Sequence, residues 1–129
     1  MATLFSKIVN GEIPCYKVAE SDEFLAFLDI QPLTKGHVLV IPKVEVDYIF
    51  DLEDDLLGKM MIFSKQVAHK IKLAYPCKKV GVTVIGLEVP HAHIHLVPMN
   101  ALVDMNFSAA KLKLDSLELE QIANNIKSF

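Results

Sequence analysis

The chain has 129 residues, is 52% hydrophobic, and sets 13 basic against 16 acidic residues for a formal charge of −3. That length predicts one domain spanning residues 1–129 with a core of its own, and the acidic balance argues against a nucleic-acid polymer as partner. No apolar run approaches the roughly 20 residues that span a bilayer, and Ala2-Thr3-Leu4-Phe5-Ser6-Lys7 holds no signal-peptide core, so the expectation is a cytoplasmic protein with no membrane partner.

Every basic residue is a lysine. A phosphate ligand would therefore meet no guanidinium fork, and imidazoles, backbone N–H groups or Lys would have to hold it. Cys15 and Cys77 stand far apart and outside any CxxC pair, which suggests neither a disulfide framework nor a cysteine zinc site.

Leu4, Phe5, Ile8 and Val9 fall at helical spacing, and Asn10-Gly11 closes that short helix. Cys15 to Glu20 reads as a strand, Ser21-Asp22 as a tight connection, and Glu23 to Ile30 as the returning strand of a hairpin. Phe24 to Leu28 is apolar throughout, so both faces of that strand should be covered. Asp29 at its end either caps the Gln31-Pro32-Leu33-Thr34 turn or accepts two sugar hydroxyls. His37 opens the apolar run Val38 to Ile41, a central strand.

A long helix is expected from Asp51, which can cap it, to Leu73 before Pro76. Its apolar face is wide enough to suggest that part of it packs on a second subunit. His69 falls on its polar side. Lys79 to Gly86 reads as a strand, the segment from Asn100 to Lys113 has no clear period, and Asp115 with Glu118 begins a last helix in the manner of a capping box. Five strands with mostly hairpin-length connections predict an antiparallel sheet with one long helix and short terminal helices, an α+β fold.

Between the fourth strand and the aperiodic segment lies His91-Ala92-His93-Ile94-His95-Leu96-Val97. Strict alternation predicts an extended strand with the three imidazoles on one face. Alternate residues lie roughly 6.5 to 7 Å apart at Cα, so the rings can converge on one object. Three chemistries compete: a metal site, a structural row of hydrogen-bonded imidazoles, and covalent catalysis at phosphorus. In the last, a neutral imidazole attacks while a neighbouring imidazolium binds the phosphoryl oxygens and protonates the leaving group. The middle residue, His93, is the natural nucleophile.

The His-φ-His-φ-His-φ-φ run resembles the signature of the histidine triad family of nucleotide hydrolases and transferases. Leu4-Phe5-Ser6-Lys7-Ile8, Gly11-Glu12-Ile13-Pro14, Ala26-Phe27-Leu28-Asp29-Ile30, Pro32, Gly36 to Lys43 and the Leu56-Leu57 helix extend the likeness to the Hint-type branch, over roughly residues 3 to 99. The resemblance implies a homodimer whose sheets join into one continuous sheet. It implies a purine nucleotide site with Leu4, Phe5, Ile8, Phe27, Leu28 and Ile30 around the base and Asp29 on the ribose. It further implies cleavage at the α-phosphate of a phosphoramidate or related nucleotide through a nucleotidyl intermediate on His93, with His37, His91 and His95 around it. A diadenosine polyphosphate hydrolase and a catalytically weak nucleotide-binding regulatory dimer are the alternatives.

The chain departs from the family pattern in places. Gly86-Leu87-Glu88-Val89-Pro90 is short and puts Glu88 at the nucleotide site where a small hydroxyl residue often stands. Val44-Glu45 replaces a histidine that often follows the Ile-Pro-Lys segment, and of the zinc-binding cysteines found in some bacterial members only Cys15 remains. No structural zinc and no cofactor are expected.

Overall fold

The computed structural model describes residues 2–129. In chain order it comprises α1 (Leu4–Val9), β1 (Lys17–Glu20), β2 (Phe24–Leu28), β3 (Val38–Pro42), α2 (Asp54–Ala74), β4 (Lys79–Thr83), β5 (Ile94–Met99) and α3 (Ser116–Lys127). Single 3-10 turns lie at Ile49–Asp51 and Leu102–Met105. The strands form one five-stranded sheet in the order β1-β2-β3-β5-β4, every pair antiparallel. This is the α+β architecture the sequence predicts.

Period-two alternation sorts the side chains of the central strands onto two faces. Phe24, Ala26, Leu28, Val38, Val40, Ile94 and Leu96 pack in the main core beneath Met60, Val67 and Ile71 of α2 and Leu119, Ile122 and Ile126 of α3. The opposite face carries Leu25, Phe27, Leu39 and Ile41, covered by Phe5 of α1. Both faces of β2 are thus buried, as its unbroken apolar run requires. Each of these large side chains contributes roughly 1.5–3 kcal/mol by leaving water, so the sheet is a rigid platform for what stands on it.

Three expectations on element boundaries change. The long helix starts at Asp54 with Glu53 as its N-cap residue, and no side chain caps it. Asp51 instead ends the preceding 3-10 turn. Strand β4 stops at Thr83, which leaves residues 84–93 as a loop far longer than the connection foreseen. The histidine strand begins only at Ile94, so His91 and His93 precede it and His95 alone lies in the ladder, opposite Leu39 and Thr83. Chain direction explains the early break: the Ala92 N–H bonds the Val46 carbonyl at 2.7 Å, outside the sheet. The last helix does begin as expected, with the Asp115 side chain accepting the Glu118 N–H at 2.8 Å.

Gly36 introduces β3 at φ +96°, a conformation only glycine holds without strain. A Cβ there would lie 3.2 Å from Tyr75 and 3.3 Å from Pro98. The bend it permits delivers His37 to the start of β3, next to β5.

Candidate active site

The sheet face opposite α2 carries a cavity of about 580 Å³ bordered by α1, the end of β2, the 84–93 loop and the segment around Phe107 and Lys111. That volume suits a mononucleotide-sized ligand. Leu4, Phe5, Ile8, Phe27 and Ile30 form an apolar side of it, with Asp29, Glu88, His93 and His95 beside them. Leu28 borders the cavity while packing in the main core on the other face. His37 and His91 stand behind the lining, 1% and 0% exposed, as the supports of the two histidines that reach the cavity.

Hydrogen bonds fix which ring nitrogen of each neutral imidazole holds its proton. The Leu33 N–H can only donate, and it meets His37 Nδ1 at 3.0 Å. The His37 proton therefore sits on Nε2, which donates to His95 Nδ1 at 3.0 Å. His95 in turn carries its proton on Nε2. For His93 the order is reversed, because Nδ1 lies 2.7 Å from the His91 carbonyl, which only accepts. Its Nδ1 holds the proton and its Nε2 keeps a free lone pair.

The support for His91 comes from two directions. Its Nε2–H donates to the Pro42 carbonyl at 2.8 Å, and in the neutral ring Nδ1 accepts the Thr3 hydroxyl at 2.9 Å. Thr3 also caps α1 by accepting the Ser6 N–H at 3.0 Å. Glu45 closes the network, taking the Thr3 N–H at 2.8 Å and the Ser6 hydroxyl at 2.6 Å. Those bonds, the Ser6 hydroxyl foremost, hold its carboxyl below the ordinary range. Phe5 stacks edge-on against both His93 and His91, with ring centroids 5.0 and 5.9 Å away.

Burial keeps His37, His93 and His95 neutral. It pushes His37 down to about 3 and His95 down to about 4, with the neighbouring imidazoles adding to the effect, and it lowers His93 as well. The sequence-based picture of an imidazolium beside the nucleophile is therefore replaced by a neutral relay from Leu33 through His37 to His95. The 3.6 Å approach of His37 Nε2 to Asp29 is accordingly no ion pair. Burial raises the Asp29 carboxyl, opposed by the Gln31 N–H that bonds Oδ1 at 2.9 Å. Asp29 thus caps its own turn with one oxygen and also borders the cavity.

Among the described residues, Asp29, His37 and His95 form the one set whose donor atoms approach within 4.8 Å of one another as metal ligands would. It includes a single member of the triad. A cation there would have to displace the His37 proton that joins the two rings.

Phe107 and Lys111 escaped sequence reading. The Phe107 ring packs edge-on over His95 at 4.8 Å and His37 at 6.0 Å. Lys111 borders the same cavity. Both sit in the stretch without periodicity, so nothing in the pattern marks them.

Comparison with known proteins agrees with this geometry. The family model described as HIT domain matches residues 10–102. The adenosine 5'-monophosphoramidase HNT1 of Saccharomyces cerevisiae is 39% identical over 98 residues, covering 75% of this chain and 62% of that protein. Protein hit of Bacillus subtilis is 31% identical over 128 residues, 94% of this chain and 87% of the other. Among solved structures, a Hit-like protein of Bartonella henselae superposes with a TM-score of 0.85 at 27% identity, covering 98% of this chain and 94% of that one. Fold, motif and relatives coincide: the chain belongs to the histidine triad (HIT) family.

Proposed function

We propose that the protein hydrolyses purine nucleoside phosphoramidates or related nucleotides at the α-phosphate, through a nucleotidyl intermediate on His93. The observation that carries this reading is the 2.7 Å bond from His93 Nδ1 to the His91 carbonyl, which leaves Nε2 unprotonated beside the cavity. A bare nitrogen of a neutral imidazole is the attacking group that phosphoryl transfer needs.

In the first step His93 Nε2 bonds to phosphorus as the P–N bond of the substrate breaks, and the amine departs with a proton from solvent. His95 Nε2–H, held in position by His37, donates to a phosphoryl oxygen as charge builds there. Water then attacks the phosphorus and releases a proton to solvent, replacing the one the amine took, as His93 departs as the neutral ring, so that one water is consumed overall. The His91 carbonyl stabilises the positive charge that His93 carries once phosphorylated.

The purine would lie against Phe5, Ile8, Phe27 and Ile30, with Leu4 and Leu28 at the border, Asp29 on the ribose hydroxyls and Glu88 at the rim. The name of the yeast relative supports the phosphoramidate class. A homodimer accompanies this reading: β4 ends the sheet with a free edge, and its Val82 is 50% exposed. Met61 and Ile62 of α2 are exposed as well, which suits a second copy.

The test compares wild type with His93→Ala on adenosine 5'-phosphoramidate. We expect turnover to fall about a thousandfold or more, AMP to remain bound, and a quenched wild-type reaction to show an AMP adduct on the peptide containing His93. Equal turnover by the two proteins would remove His93 as nucleophile.

A further inference from the structure

The cavity has an electrostatic deficit for the ligand just proposed. Its ionisable lining includes two carboxylates, Asp29 and Glu88, and histidines that burial holds neutral. The chain has no arginine. Among the described residues the single ammonium on the lining is that of Lys111. A nucleotide phosphate brings at least one negative charge into this surface, which a counter-charge would offset.

Lys111 is built into place. Its Nζ donates to the carbonyls of Phe107 and Ala109, the latter at 3.1 Å. Two of three donors are thereby used, and one remains. The segment itself is pinned, since the Leu112 N–H bonds the Pro32 carbonyl at 2.9 Å and the Ala109 N–H closes a turn onto Asn106. The same Phe107 that grips the ammonium through its backbone lays its ring over His95 at 4.8 Å. The ring contacts bring the 106–112 segment against the histidine side of the cavity, and the charge of Lys111 bears on Asp29 and His37. The segment lies beyond residues 10–102, the part that matches the family model.

We propose that Lys111, carried by the 106–112 segment, is the residue that binds the phosphoryl charge of the substrate and makes the site select charged nucleotides over neutral nucleosides. The proposal rests on the nucleotide reading above. An ammonium held by two carbonyls loses little freedom on meeting a phosphate, and the phosphate completes its third hydrogen bond. Without it, the anion would face two carboxylates and neutral imidazoles.

The experiment measures binding of AMP and of adenosine to wild type and to Lys111→Gln by calorimetry at several salt concentrations. In the Gln variant AMP affinity should fall about tenfold or more, adenosine affinity should stay within about twofold, and the salt dependence of AMP binding should flatten. A purely structural Lys111 would weaken both ligands alike, and an irrelevant one neither; each result would overturn the proposal. Binding of neither ligand to wild type would overturn the nucleotide reading itself, and this proposal with it. Should the Gln variant fail to fold, wild type alone decides, because AMP affinity independent of ionic strength would refute a role for the ammonium.

Discussion

Replacing Thr3 by Val tests how the first helix and the triad are joined. The hydroxyl has two partners, accepting the Ser6 N–H at 3.0 Å as the cap of α1 and donating to His91 Nδ1 at 2.9 Å. Valine matches the shape and supplies neither bond. Loss of a cap costs about 1 kcal/mol, and leaving the lone pair of a buried imidazole without a donor costs about 1–3 kcal/mol. The sum is about 2–4 kcal/mol, or roughly a 10 °C fall in Tm for a chain of this size. Ser6 Oγ, 3.5 Å from the same Nδ1, is placed to recover part of it and favours the lower end. Urea denaturation of wild type, Thr3→Val and Thr3→Ser measures the effect, with the Ser variant close to wild type. Turnover of adenosine phosphoramidate should fall in the Val variant and persist in the Ser variant, because His91 in turn holds His93. A loss below about 0.5 kcal/mol in Thr3→Val would refute the reasoning, since neither bond would then carry the energy assigned to it.

Two glycines should respond in opposite directions. Gly36→Ala forces a Cβ to within 3.2 Å of Tyr75 at φ +96° and should cost about 1–3 kcal/mol, whereas Gly58→Ala in exposed helix, where a Cβ meets nothing within 4 Å, should stabilise by about 0.5–1 kcal/mol; thermal melts of both variants decide. Acid should unfold the protein through its histidines. His37 and His95 titrate near 6.5 in the unfolded chain but only at about 3 and about 4 in the native state. The unfolded form then binds more protons, so stability is complete above pH 6.5 and is lost as pH falls through that window. Tm measured from pH 7.5 to 4 should drop steadily below 6.5, and a flat profile would contradict neutral burial.

Much of this was legible because the signals are local. The unbroken apolar runs of β2 and β3 announce strands buried on both faces, and Asp115 with Glu118 announces its helix. The triad itself is visible as spacing. Alternation, however, reports which way side chains point and says nothing of which backbone groups pair. Alternation alone therefore puts His91 and His93 in a strand, although the Ala92 N–H bonds Val46 instead of a sheet partner. Tautomers were equally hidden, since they depend on a Leu33 amide and a His91 carbonyl. The 100–114 segment lies over the surface on side-chain-to-backbone bonds, such as Asp104 to the N–H groups of Asn100 and Ala101, and such bonding has no period to read. Lys111 carries no sequence signal for that reason.

The hydrogen bonds that tune the histidines join distant parts of the chain: Thr3 and His91 are 88 residues apart, His37 and His95 58, and Pro42 and His91 49. Closing loops of that length is entropically costly and comes late in folding. Leu4, Phe5, Ile8, Phe27 and Ile30 of the cavity wall come from the first third of the chain, while His93 and Lys111 come from the last. During synthesis that wall emerges long before His93 and β5. The cavity of this fold is thus completed only when its early and late segments meet.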